Sequence, residues 1–308
     1  MKTSFLMLTR RVLPALLLAS VCWGSVASGA ETEESPLIKA MGWKGECDGA
    51  PSDMEEFRRL LAAGADPDSC DEDGMPLLYS ASENGNPEAV KLLLEFGADT
   101  ENRCPVRGEG HAPRQQGRTP LFGAAEGQAA EGLTYGMNPK ECMRLLLAAG
   151  ANVHARDEYG RTPLFYAAGY GFGYGEDRVL MLLAAGADVN ALNDLGETPL
   201  VYAVKRWDAL CISSLCEHGA DVSWRDAAGN TLLHLLVKHP PLLTNMVSKD
   251  AEQWNLREIA RYHAAIRALL AAGADAHAAN NAGETPLSLA EKNGNTELVE
   301  LLREASRH

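Results

Sequence analysis

Residues 186–233, GADVNALNDLGETPLVYAVKRWDALCISSLCEHGADVSWRDAAGNTLL, hold one complete copy of a pattern and the opening of the next. Gly186-Ala187-Asp188 returns 33 residues later as Gly219-Ala220-Asp221, and Thr198-Pro199-Leu200-Val201 returns at the same interval as Thr231-Leu232-Leu233-His234. Outward from there, Gly-Ala-Asp or Gly-Ala-Asn also begins at Gly64, Gly97, Gly150 and Gly273, and the threonine marker stands at Thr119, Thr162 and Thr285. Each marker threonine follows a glycine by two residues, the glycines being Gly117, Gly160, Gly196, Gly229 and Gly283. Two markers in fixed phase make this chain a tandem array, and a period of this length means units that stack on one another.

The chemistry of one unit follows from its markers. Glycine after a leucine-rich run permits the left-handed cap that ends a helix. The Thr-Pro pair is expected to open a helix, the hydroxyl capping free amides and proline sitting in the first turn. Leu92-Leu93-Leu94, Leu145-Leu146-Leu147 and Leu269-Leu270 then form the buried stripe of a second helix. These motifs resemble the ankyrin-repeat family over nearly all of residues 35–308. The resemblance implies an all-α repeat fold, a solenoid of about seven helix-turn-helix units carrying short turn or hairpin fingers. The units are expected at about 35–70 (a cap), 71–113, 114–156, 157–192, 193–225, 226–279 and 280–308 (a second cap). Ser52 and Glu55 are expected to form a capping box in the first cap.

Function should reside where the pattern breaks, since a stack tolerates added residues only at its edges. One insertion, near Cys104 to Pro113, lies in a turn between units. Others fall between the two helices of a unit: Gly127 to Gly136, Gly169 to Gly175, and His239 to about Trp254. That edge would gather Tyr135, Tyr170, Phe172, Tyr174, Trp207 and Trp254, and aromatics on an irregular surface are the usual anchors of a protein interface. The alternative is that these loops pack on one another. The resemblance also implies a groove formed by finger tips and first helices, where Arg118, Tyr159, Arg161, Leu195 and Trp224 are the matching candidates. Trp224 stands where other units have Ala155, Ala191 and Ala278, so it is either an exposed anchor or a plug against the neighbouring turn.

Residues 1–30 read as a secretory signal peptide: Lys2, Arg10 and Arg11 precede an uncharged run from Val12 to Ala30, and acidity follows abruptly at Glu31. Ser28 and Ala30 suit cleavage after Ala30, which would make 31–308 the mature repeat domain, exported most simply to the periplasm. Extracellular release and a retained signal anchor are the alternatives. The chain has 28 Lys+Arg against 42 Asp+Glu, a formal charge of -14, and loss of the first 30 residues would make it more acidic. Nucleic acid and anionic membrane are poor partners for that charge; a basic protein suits it. Of 7 cysteines, Cys22 falls in the signal. Export would permit disulfides, with Cys47–Cys70 favoured as a staple of the first cap and Cys70–Cys104 as the alternative.

No motif proposes catalysis. Gly169, Gly171, Gly173 and Gly175 lack the third glycine spacing of a dinucleotide loop. Cys216 points away from Cys211 and His218 at helical spacing, so no metal site is expected. His234 takes the place where the resemblance implies hydrogen bonding to turn backbone, and His154 and His277 fall in equivalent turns. The expectation is therefore a monomeric, non-catalytic protein-binding module without cofactor or metal. A narrower version is an inhibitor or immunity protein that neutralises a toxin or enzyme; a structural envelope scaffold is the rival class.

Overall fold

Helix ends alternate with glycine turns all along the computed structural model, which describes residues 36–40, 53–70, 74–104, 117–127, 137–170, 175–241 and 249–305. The chain divides into two units at Leu60. The first holds α1 (Pro36–Ala40), with Leu37, Ile38 and Ala40 buried, and most of α2 (Met54–Ala62), whose Phe57 is fully buried. The Asp53 carboxylate accepts the Glu56 amide at 3.0 Å and caps α2. The capping expected of Ser52 and Glu55 thus falls to Asp53; Ser52 itself lies outside the described residues.

The second unit, from Leu61 onward, repeats one construction six times. First helices are α3 (Leu77–Glu83), α5 (Pro120–Glu126), α7 (Pro163–Tyr170), α9 (Pro199–Lys205), α11 (Leu232–Lys238) and α13 (Pro286–Lys292). Each is paired with a second helix: α4 (Pro87–Glu95), α6 (Pro139–Ala148), α8 (Gly175–Ala184), α10 (Ala209–Glu217), α12 (Lys249–Ala271) and α14 (Thr296–Ala305). First helices stack on one another from α3 to α13, and second helices do so from α4 to α12. The all-helical fold agrees with the solenoid expected; among the described residues, β structure is limited to the bridges Cys70–Pro76 and Arg225–Thr231.

Burial between the two rows holds the stack together. Of the expected leucine stripe, Leu92, Leu93, Leu146 and Leu269 are buried, whereas Leu94, Leu145, Leu147 and Leu270 are half-buried. The first-helix row adds edge-on ring pairs, Phe122 with Tyr166 at 5.4 Å and Phe165 with Tyr202 at 5.2 Å. Each large side chain withdrawn from water contributes about 1.5–3 kcal/mol, and each spans a unit boundary, so no unit is complete alone. Every second helix from α2 to α12 ends in a glycine at positive φ, as Gly186 does at 90°, where a β-carbon would strain the turn.

Two local expectations are corrected. The hydroxyls of Thr119, Thr162 and Thr198 are buried and make no hydrogen bond within the protein, whereas Thr285 accepts the Ser288 amide at 3.1 Å. The difference lies three residues on. Ser288 and His234 return a polar atom to their threonine's amide, while Phe122, Phe165 and Val201 fill the same place with apolar core. The insertion expected to run to about Trp254 is shorter, because α12 begins at Lys249 and places Trp254 within a 23-residue helix. Second helices elsewhere in the stack have 9 or 10 residues.

Candidate partner-binding surface

Four fingers are each closed by one Asx side chain. Asp157 Oδ1 accepts the amides of Tyr159 and Arg161, Asn193 Oδ1 those of Leu195 and Glu197, Asp226 Oδ1 those of Ala228 and Asn230, and Asn280 Oδ1 those of Ala282 and Glu284. Two amides on one oxygen fold four residues into a tight projection. Neighbouring fingers are joined by backbone bonds: the Asp194 amide to the Tyr159 carbonyl, and the Asn281 amide to the Ala228 carbonyl, both at 3.0 Å.

Tip residues differ sharply in exposure. Leu195 is 82% exposed and Tyr159 48%, and the backbone bond from Asp194 makes their tips neighbours. Arg161 lies over the Tyr159 ring at 4.5 Å and also pairs with the buried Asp157 carboxylate at 2.8 Å. Its guanidinium is half-buried structure more than free charge. Arg118, expected at an exposed tip, is buried at 4%; it pairs with Glu126 at 2.6 Å and lies 4.3 Å above the Tyr166 ring. Burial alone would depress the Arg118 guanidinium, but Tyr79, Glu126 and Tyr166 outweigh it and raise it. A buried pair of this kind fixes geometry and is costly to break singly.

Trp224 bears on the neighbouring turn. It is half-buried, and its indole N–H donates to the Gly196 carbonyl of the preceding finger at 2.7 Å. Sequence reasoning missed a set of arginine bonds at the same turns. Arg103 donates to the Gly117 and Arg156 carbonyls, Arg156 to that of Leu192, and Arg225 to those of Gly229 and Ala279. The signal was an arginine before the finger's first residue, legible at three positions and broken at Ala279 and at Leu192, which is 53% exposed.

On the inter-helix edge, Trp207 adopts φ 55° where the repeat favours glycine, and its ring meets Tyr262 edge-on at 5.7 Å. Phe172 and Tyr174 lie outside the described residues, as do the side chains of Tyr170 and Trp254. Cys47 does too, and with it the expected disulfide to the exposed Cys70. Burial pushes the Cys142 thiol up to about 12 and raises Cys211 further, while that of Cys216 is pushed up to about 11. Such thiols stay protonated and unreactive at neutral pH. His234 uses both ring nitrogens: Nδ1 accepts the Thr231 amide at 3.1 Å and Nε2 donates to the Glu284 carbonyl at 2.9 Å. Among the described residues no three His, Cys, Asp or Glu side chains are grouped to hold a metal.

Models of two families described as ankyrin repeats match the chain: one of three copies over residues 50–140 and 172–254, and one of many copies over 128–174. The chain belongs to the ankyrin-repeat family. It is similar to human "SH3 and multiple ankyrin repeat domains protein 2", 26% identical over 89% of this chain and 10% of that protein. Mouse Rabankyrin-5 is 36% identical over 30% of this chain and 7% of its own length, and human "Neurogenic locus notch homolog protein 4" 31% identical over 49% and 6%. The chain therefore spans a tenth or less of these relatives. Ankyrin repeats indicate a protein–protein interaction module, and the finger geometry suits one: rigid projections, closed internally, that offer only their tips.

Proposed function

We propose that this ankyrin-repeat chain is a non-catalytic recognition module, exported and monomeric, that docks a protein partner on the fingers carrying Tyr159 and Leu195. The observation that carries this reading is Leu195, 82% exposed on a finger hydrogen-bonded to its neighbour. A leucine held in water on a rigid support gains about 1.5–3 kcal/mol when a partner covers it, and little conformational entropy remains to be lost. The formal charge of -14 favours a basic partner over nucleic acid or an anionic membrane. Among the described residues no helix is long and apolar enough to cross a membrane. Lys2, Arg10, Arg11 and the uncharged run to Ala30 support export to the periplasm, with a mature chain beginning at Glu31.

Affinity capture from the native compartment tests the docking surface with wild type, with Leu195→Asp combined with Tyr159→Ala, and with Leu180→Asp on α8 as a control. One dominant partner should be retained by wild type and control and lost by the finger variant. Retention by the finger variant would remove these fingers from the interface. Mass measurement of the mature protein should find Glu31 first, and an intact N-terminal segment would refute the cleavage.

A further inference from the structure

The fingers closed by Asn193 and Asn280 depart from the others at one position, with Leu192 and Ala279 before their first residues. Arginine precedes the first residue of three fingers, at Arg103, Arg156 and Arg225, and Arg103 and Arg225 each donate to the glycine carbonyl of their own finger, at 2.7 Å to Gly117 and 2.9 Å to Gly229. Both also donate to the backbone of the next unit, Arg103 to Arg156 and Arg225 to Ala279, each at 2.9 Å. Leu192 stands at that position in the Leu195 finger and has no such donor. The equivalent Gly196 carbonyl nevertheless keeps a bond, because the Trp224 indole reaches back from the following unit at 2.7 Å.

We infer that Trp224 is a positioning residue that replaces a missing arginine staple, so that position 192 is released to display a second leucine beside Leu195. The staple now runs backward from one unit to the preceding one rather than forward, and the finger is held at both sides: by Trp224 on Gly196, and by the Asp194 amide on Tyr159. What it presents is a short apolar element, Leu192 at 53% exposure and Leu195 at 82%. An arginine at 192 would lay its guanidinium across this surface. The exchange of arginine for leucine at 192 thus preserves rigidity and changes the surface from cationic to apolar. Its functional value rests on the docking reading above; the staple itself does not.

The test is amide hydrogen exchange on the purified full chain, in wild type, Trp224→Phe, and Trp224→Phe with Leu192→Arg. Phenylalanine keeps an aromatic ring in place and removes only the donor. Loss of one hydrogen bond should speed exchange of the Asp194, Leu195 and Glu197 amides about fivefold to tenfold, with the Ala228 and Asn230 amides of the next finger unchanged. Adding Leu192→Arg should return the three rates toward wild type, because arginine then reaches Gly196 as Arg225 reaches Gly229. The inference falls if Trp224→Phe leaves the finger's exchange unaltered, if it accelerates every finger alike, or if the added arginine restores nothing. Exchange needs no partner, so failure here is separate from failure of the capture experiment.

Discussion

At the residue scale, a repeat position means different things according to what stands three residues away. Thr198 and Thr285 read identically in sequence, yet only Thr285 has a polar side chain, Ser288, within reach. Thr198→Val should therefore change stability by no more than about 0.5 kcal/mol, while Thr285→Val should cost about 1 kcal/mol for the lost cap, as measured by urea denaturation. His234 carries a pH dependence. Its Nδ1 must stay unprotonated to accept the Thr231 amide, and burial lowers its folded pKa below the ordinary 6.5. A lowered folded value means that the unfolded chain takes up the proton first. The His234 contribution is therefore fully present above pH 6.5 and is lost as the pH falls through the lower folded value. Denaturation midpoints should drop between pH 7.5 and pH 5, and His234→Asn should flatten that drop.

At the element scale, close approach between neighbouring helices sets the tolerances. Gly175 opens α8, and a β-carbon there would stand 2.7 Å from the Ala167 carbonyl and 2.9 Å from Cys211 Sγ. Gly175→Ala should destabilise by about 1–3 kcal/mol, readable as a lower thermal midpoint; an unchanged midpoint would show that α8 can slide outward. Arg178 explains why α8 must lie where it does. It is buried, has no carboxylate bonded to it among the described residues, and donates to the Gly127 and Ala124 carbonyls at the end of α5. Burial lowers its pKa, and the carbonyl end of a helix offers it partial negative charge without an acid. The position holds Ala89, Cys142, Cys211 and Ala265 in other units, so a large cation there was legible as an exception but its partner was not.

At the scale of the whole molecule, stability from Leu61 onward is a sum over neighbouring pairs, because the main helix contacts among the described residues lie within a unit or with the next. Leu298→Ala, in the final pair, should release α13 and α14 ahead of the rest, with exchange rising there and staying at wild-type rates in α7 and α9. Phe165→Ala, which removes the ring packed on Tyr202, should cost about 3–5 kcal/mol and raise exchange on both sides of α7. Equal loss of protection in every helix for both variants would mean that the stack melts as one piece. The sequence by itself determined the helix-turn-helix period, the glycine turns and the leucine stripe, because these obey local rules of backbone angle and amphipathic spacing. Only the tertiary structure decided which tip residues are free. Arg118 and Arg161 look like surface charges in a finger, but the Glu126 and Asp157 carboxylates and the Tyr166 ring enclose them. Trp224 looks like an anchor, but a carbonyl 28 residues earlier in the chain claims its indole. The Arg118 ring contact and the Trp224 bond depend on contacts between units, and a period written along one chain says which units touch but not which atoms meet.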